Sequence, residues 1–320
     1  MTVLFASAHE IERAENIKAL WDEYPGIKQF TRIDPWRTSK EIREGEYDLL
    51  VIDEYPSYSK SPVIMVDHGV AGCKLCGLDQ PYPYIKAKDT EYLTWVIAAS
   101  TQSIGLIAKR CGVKPHQVLP LGVPSTDDYF KVKKGGGGSG LKADRIYLYV
   151  PTYRTREEMP APVINYKAID DALTDGELFV VKNHMMTGLT DIGQYKHIIQ
   201  IDPKEPSKPY VIDCDVLITD FSSIMFDGHI AGKPVVLFEK DVEAYKRARG
   251  LYRPYPQGYA SRHTSNEPEL VNILRDAKKP QEADIKVINE VADMCDGQAT
   301  GRIVTLIKEV MGENVPRTYF

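Results

Sequence analysis

Short all-apolar runs alternate with longer amphipathic stretches along most of the chain, and that alternation predicts the kind of fold. Thr2 to Ala6 reads as a first buried strand, and Ile11, Ala14, Ile17, Leu20 and Trp21 fall on one face of a following helix. Asp48 to Asp53 and Pro62 to Val66 are two more strands, each ending in polar residues, Asp53-Glu54 and Asp67-His68-Gly69. Thr94 to Ala99 is another. Ser100-Thr101 then opens a helix through Ile104, Ile107 and Ala108 that stops near Gly112, and Val118-Leu119 closes the series. Strands without internal polar residues, spaced by helical periodicity, are those of a parallel sheet covered on both faces.

The pattern breaks at Lys131 to Lys134 and at Gly135 to Gly140, a Gly/Ser stretch with no core-forming residue. Its composition is that of a flexible linker, shared by natural hinges and engineered loop replacements. Beyond it the alternation restarts: a strand at Ile146 to Val150, a helix near Tyr166 to Leu173, strands at Leu178 to Lys182, Ile198-Ile199 and Pro209 to Ile212, and a compact β-α-β unit. In that unit Val216 to Ile218 is a strand, Thr219 to Ser223 a cluster of turn and cap residues, and Ile224, Met225, Phe226 and Ile230 the buried face of a helix. Gly232 is its left-handed cap and Val235 to Phe238 the next strand. The last stretch, carrying Ile285, Val287, Ile288, Val291, Met294 and then Ile303, Val304, Ile307 and Val310, is helical. It is interrupted at residues 295–301 by a turn expected to face a ligand or the domain junction. The fold class is therefore α/β, with two Rossmann-like doubly wound domains: residues 1–134, a linker at 135–140, and residues 141–320.

Composition narrows the partners. With a net charge of −5 and a sequence pI near 5.9, no global basic field exists to hold nucleic acid, so any anion site is local. No apolar run approaches a membrane span, and Met1 to Phe5 reads directly as a strand with no charged leader before it, so a cytoplasmic protein is expected. The five cysteines, Cys73, Cys76, Cys111, Cys214 and Cys295, are an odd set expected as reduced thiols. Cys73-x-x-Cys76 lacks the second pair that a structural zinc site needs, so no metal and no cofactor are expected.

Candidate chemistry gathers at strand ends, where open α/β sheets bind ligands. His68-Gly69 ends one strand, Val150-Pro151-Thr152-Tyr153-Arg154 another, Lys182-Asn183-His184 a third, and Asp220 to Ser223 a fourth. A planar Arg fork, a Lys point charge, two imidazoles and a helix N-terminus suit a pyrophosphate.

These segments resemble the CDP-glycerol glycerophosphotransferases of bacterial teichoic acid synthesis, whose relatives use CDP-ribitol. The resemblance is carried by Asp67-His68-Gly69, Pro151 to Arg154, Lys182 to His184, Leu217 to Ser223 with Phe226-Asp227, Gly232 to Val235, Tyr245 with Arg249 to Tyr252, and Asp296 to Arg302. It implies a GT-B fold with the donor on the second domain. It also implies a reaction in which an acceptor hydroxyl attacks the phosphorus bearing the polyol and CMP leaves. His68 is then the general base. His184, Arg154, Lys182, Thr219, Asp220, Ser222, Ser223, Arg249 and Gly250 hold the donor, and Asp67, Gly69 and Lys74 face the acceptor. The family's usual Thr-Pro-x-Lys after His-Gly is replaced here by Val70 to Lys74. A lipid-linked acceptor implies peripheral contact with the inner face of the membrane, for which Gln80 to Lys88, with Tyr82, Tyr84, Lys86 and Lys88, has the mixed aromatic and basic character. Two alternatives remain at this point: a GT-B transferase of a UDP- or CMP-activated sugar, and a nucleotide-binding module without turnover.

Overall fold

The computed structural model describes residues 1–33, 40–53, 59–66, 92–154, 162–251 and 253–313. They form two compact units. The first takes the described residues up to Lys131 together with those from Glu290 onward, and the second takes Val132–Asn289.

The first unit runs β1 (Thr2–Ser7), α1 (Glu15–Glu23), β2 (Ile27–Arg32), α2 (Lys40–Glu44), β3 (Leu49–Ile52), β4 (Val63–Met65), β5 (Trp95–Ala98), α3 (Ile104–Cys111) and β6 (Val118–Pro120). Its six strands are parallel in the order β2-β1-β3-β4-β5-β6. Because side chains alternate across a strand, the sheet separates two apolar layers. Val3, Phe5, Leu49, Val51 and Ile64 pack with Ile17 and Leu20 of α1 on one face. Leu4, Ala6, Leu50, Ile52 and Val63 pack with Ile42, Ile107 and Ala108 on the other. The edge strand β2, Ile-Lys-Gln-Phe-Thr-Arg with only Thr31 buried, is too polar to have stood out in the apolar pattern.

The second unit runs β7 (Arg145–Tyr149), α4 (Tyr166–Ala172), β8 (Glu177–Val181), β9 (Ile198–Gln200), α5 (Lys208–Asp213), β10 (Val216–Thr219), α6 (Ile224–Ile230), β11 (Val235–Phe238), α7 (Val242–Arg249), β12 (Arg262–Thr264), α8 (Glu267–Asp276) and α9 (Glu282–Val291). Its strands, again parallel, lie in the order β12-β11-β10-β7-β8-β9. From β7 the chain proceeds outward through β8 and β9, then returns to the other side of β7 through β10, β11 and β12. The topological switch point is therefore between the carboxyl ends of β7 and β10. Tyr147, Tyr149, Phe179, Val181, Val216, Ile218, Val236 and Phe238 pack with Leu270, Val271 and Leu274 of α8 on one face. On the other face α6 lies so close that a Cβ on Gly228 would stand 2.5 Å from Leu217 Cδ2.

Three expectations change. Pro209 to Ile212 is helix α5, not a strand: a four-residue apolar run fits either, and Pro209 stands in the helix's first turn, where it sacrifices no hydrogen bond. The end of the chain does not belong to the second unit. Helix α10 (Ala299–Val310) puts Ile303, Val304, Leu306 and Ile307 into the first unit's core beside Val3 and Phe5. The turn before it is closed on that same unit. Asp127 receives the N–H groups of Ala299 and Thr300, and Arg302 pairs with Asp296 while donating to the carbonyls of Leu121 and Met294.

The third change concerns Gly135 to Gly140, which is not a free linker. The N–H groups of Gly135, Gly137 and Ser139 and the Ser139 hydroxyl all donate to the carboxylate of Asp213, at 2.8, 2.9, 3.1 and 2.6 Å. Gly135, Gly138 and Gly140 take positive φ to turn those donors inward, and Gly137 has no room for a Cβ against Pro209 O and Asp213. Lys134 adds an ion pair to Asp215 at 2.7 Å. Among the described residues no helix is long and apolar enough to cross a membrane.

Candidate functional site

The central β-α-β unit forms where its residues predict, except that Ser223, the residue before the helix, makes no side-chain capping bond and Ile224, expected on the buried face, is only half-buried. Strand β10 is fully buried, α6 buries Met225, Phe226 and Ile230, and Gly232 closes the helix with φ +68°. Lys233 N–H reaches back to Gly228 O and Gly232 N–H to His229 O, the paired bonds of a Schellman cap. The turn between strand and helix faces the switch point.

Asp220 organises that turn. Its Oδ1 accepts from Thr152 N–H at 2.8 Å, Thr152 Oγ1 at 2.5 Å and Phe221 N–H at 2.6 Å, and its Oδ2 accepts from Arg154 at 2.8 Å. Thr219 Oγ1 donates to Val150 O at 2.6 Å, so the ends of β7 and β10 are stitched from both sides. Arg154 turns inward. Its Nε and Nη2 take both oxygens of Asp241 at 2.9 Å, Nη2 also takes Asp220, and Nη1 donates to Thr152 O at 3.0 Å. Only 7% of Arg154 is exposed, and its guanidinium lies 5.2 and 5.0 Å from the rings of Phe221 and Tyr245. Burial works against its charge, but the two carboxylates prevail and hold its pKa above the ordinary value.

Strand β8 ends in a second group. Lys182 is buried with its Nζ 3.2 Å from Pro203 O, and burial pushes its pKa down against the pull of Glu205 and Asp202. Asn183 ties the following loop through Gly188 O and Thr190 Oγ1. His184 is exposed with its ring 5.5 Å from that of Tyr153. Its Nδ1 accepts from Met186 N–H at 3.1 Å, which leaves the proton of the neutral ring on Nε2.

The structure thus brings Thr219, Asp220, Ser222, Ser223, Arg154, Lys182 and His184 to the carboxyl ends of β7, β8 and β10. Of these, Ser223 and His184 are exposed and Ser222 half-buried, whereas Arg154, expected to offer its charge to a pyrophosphate, is engaged by Asp241, Asp220 and Thr152 O, and Lys182 is buried with one bond to Pro203 O. Arg249 and Gly250 lie elsewhere, at the far end of α7 from Asp241, about 12 Å along a helix of this length. Asp67, His68, Gly69, Lys74, Cys73, Cys76 and the Gln80 to Lys88 segment lie outside the described residues. Asp241 was missed by sequence reasoning, although an acid placed between strand β11 and helix α7 carries the same strand-end signal as Asp220. No group of three His, Cys, Asp or Glu side chains among the described residues is arranged to hold a metal ion.

Residues 49–309 match the profile of the CDP-Glycerol:Poly(glycerophosphate) glycerophosphotransferase family. This chain belongs to that family. It is 27% identical over 189 residues to the teichoic acid glycerol-phosphate primase of Bacillus subtilis (strain 168), covering 58% of this chain and 49% of that protein. It is 24% identical over 266 residues to the teichoic acid poly(ribitol-phosphate) polymerase of Bacillus spizizenii, covering 77% of this chain and 43% of that one. The chain therefore spans about half the length of the curated relatives it matches. Among solved structures, the wall teichoic acid polymerase TagF aligns with TM-score 0.77 at 18% identity over 97% of this chain and 89% of that chain, and TagF is also known from a crystal soaked with CDPG. The UDP-GlcNAc 2-epimerase of Neisseria meningitidis aligns with TM-score 0.59 at 14% identity over 97% and 100%. These likenesses establish the fold of this glycerophosphotransferase-family chain as α/β and GT-B-like, with two Rossmann-like units.

Proposed function

We propose that the chain transfers a polyol phosphate, glycerol phosphate from CDP-glycerol or its ribitol counterpart, to a hydroxyl of a lipid-linked saccharide or growing polymer, releasing CMP in teichoic acid or capsule-like polymer synthesis. The observation that carries this reading is His184 of a family member, exposed at the carboxyl end of β8 beside the switch point with Nδ1 held by the Met186 N–H. A donor N–H there suits an anionic phosphate oxygen, and it gains strength as charge builds on departing CMP. The turn with half-buried Ser222 and exposed Ser223 lies on the same rim. The acceptor oxygen forms a bond to the phosphorus that carries the polyol while the bond from that phosphorus to the CMP oxygen breaks. The acceptor's proton passes to a base, a role that the family resemblance gives to His68. A lipid-linked acceptor would bring the protein to the inner face of the membrane.

The test is a thermal-shift and turnover panel of CDP-glycerol, CDP-ribitol, CMP and UDP-sugars. A ligand at a hundred times its dissociation constant adds roughly 2.7 kcal/mol to the native state. The proposal expects stabilisation by CMP and one CDP-polyol, CMP release only when acceptor is present, and loss of turnover in a folded His184→Ala variant. Stabilisation by UDP-sugars alone would overturn it.

A further inference from the structure

We infer that Arg154 is a positioning residue, locked by Asp241 and Asp220 to hold the Asp220–Ser223 turn in shape, and not a ligand of the donor phosphates. The guanidinium has five N–H groups, and four are engaged: one from Nε and one from Nη2 to Asp241, the second from Nη2 to Asp220, and one from Nη1 to Thr152 O. With one arginine against two aspartates the cluster carries a formal charge of −1, so it repels an incoming anion. What the cluster does is join three segments. Arg154 and Thr152 follow β7, Asp220 and Phe221 follow β10, and Asp241 and Tyr245 follow β11. Phe221 and Tyr245 stack face to face at 4.0 Å and 17°, with the guanidinium packed close to both rings. The Phe221 ring cannot move without uncovering this buried charge, and Ser222 and Ser223 are carried on the same backbone.

Freeing a buried arginine from one carboxylate would help a phosphate ligand and harm a brace, so the two roles predict opposite outcomes. The variants are Asp241→Asn, Arg154→Lys, their combination, and Asp241→Glu, which keeps the charge. The first readout needs no ligand: amide hydrogen exchange of residues 220–226. The brace expects faster exchange there in Asp241→Asn and Arg154→Lys alike, with no further rise in the double variant and recovery in Asp241→Glu. The second readout, which rests on the proposed donor site, is CMP affinity and the kinetics of CMP release. Both single variants should weaken CMP by a similar factor, about tenfold or more. KM for the CDP-polyol should rise while kcat at saturation is largely kept. Unchanged exchange in Asp241→Asn, or CMP binding that holds or tightens there while Arg154→Lys loses it, overturns the inference. Should Asp241→Asn fail to fold, Arg154→Lys against Asp241→Glu makes the same comparison. A parent protein that binds no CMP would refute the proposed function, and the exchange comparison would still decide the brace.

Discussion

Replacing Asp213 by Asn should release the glycine loop. The carboxylate, 5% exposed, is the acceptor for three N–H groups and one hydroxyl. An Asn in the same pose keeps an oxygen for Gly135 and Gly137 but turns an NH2 toward the Ser139 N–H, so one donor is stranded and the charge is gone. Hydrogen bonds to an ionised group contribute roughly 1.5–3 kcal/mol each, and water can reach part of this loop, so the net loss should be about 2–3 kcal/mol. The Val132–Asn289 stretch of the second unit is 158 residues long. At roughly 2–4 °C per kcal/mol for a unit of that size, its melting temperature should fall by about 4–12 °C. Calorimetry and urea titration measure this directly. The pH dependence adds a signature. Burial pushes the Asp213 carboxyl up, but the Ser139 hydroxyl and the loop N–H groups outweigh it and hold the pKa below the ordinary value. A folded pKa below the unfolded one gives stability that is present above the unfolded pKa and lost as pH falls through the folded one. The gap between parent and variant should therefore be constant near neutrality and close in acid. A gap under about 0.5 kcal/mol at pH 7, or one that widens toward acid, would refute the claim that this carboxylate holds the loop.

Other outcomes follow from buried groups. His229 donates from Nε2 to Tyr259 O at 2.8 Å, and burial pushes its pKa down against that bond and Asp284. Its folded pKa lies below the unfolded value of about 6.5, so urea midpoints should drop as pH falls below that value, and His229→Gln should flatten the drop. Lys182→Met removes a charge that burial disfavours and should leave stability within about 1 kcal/mol, while CMP affinity falls if the ammonium serves the donor site; equal loss of both would make Lys182 purely structural. Ile307→Ala empties a fully buried position beside Val3 and Phe5 and should cost the first unit about 2–5 kcal/mol. All three tryptophans, Trp21, Trp36 and Trp95, lie in the sequence before the second unit, so their fluorescence should report that loss ahead of the tyrosine signal.

Much of the fold was legible because fully buried parallel strands leave few polar residues to blur them: Leu49 to Ile52, Val216 to Ile218 and Val235 to Phe238 are each visible as apolar runs. What failed was information carried by distant partners. Nothing within Gly135 to Gly140 announces an acceptor more than 70 residues away at Asp213. Arg154 looks like a free cation until Asp220 and Asp241, 66 and 87 residues on, are seen beside it. Helical periodicity in Ile303, Val304 and Ile307 says that one face is buried but not against which core. The strand-end rule put Arg154, Lys182, His184 and Asp220 at one edge of the second sheet, where the structure has them. It could not tell exposed His184 from buried Lys182, two residues apart, because burial there is set by the loop leaving β8 and not by the strand itself.

The return of helix α10 to the first unit also has a consequence for synthesis. Domains usually complete in the order in which they leave the ribosome. Here the described residues of the second unit are all made once Asn289 has emerged, whereas the first, begun at β1, lacks the helix that covers Val3, Phe5 and Val51 until Ile303 to Ile307 follow. The nascent first unit must wait through the translation of its neighbour with one face of its sheet partly bare, which makes that face the natural hold for a chaperone and the place where stalled or truncated chains would aggregate.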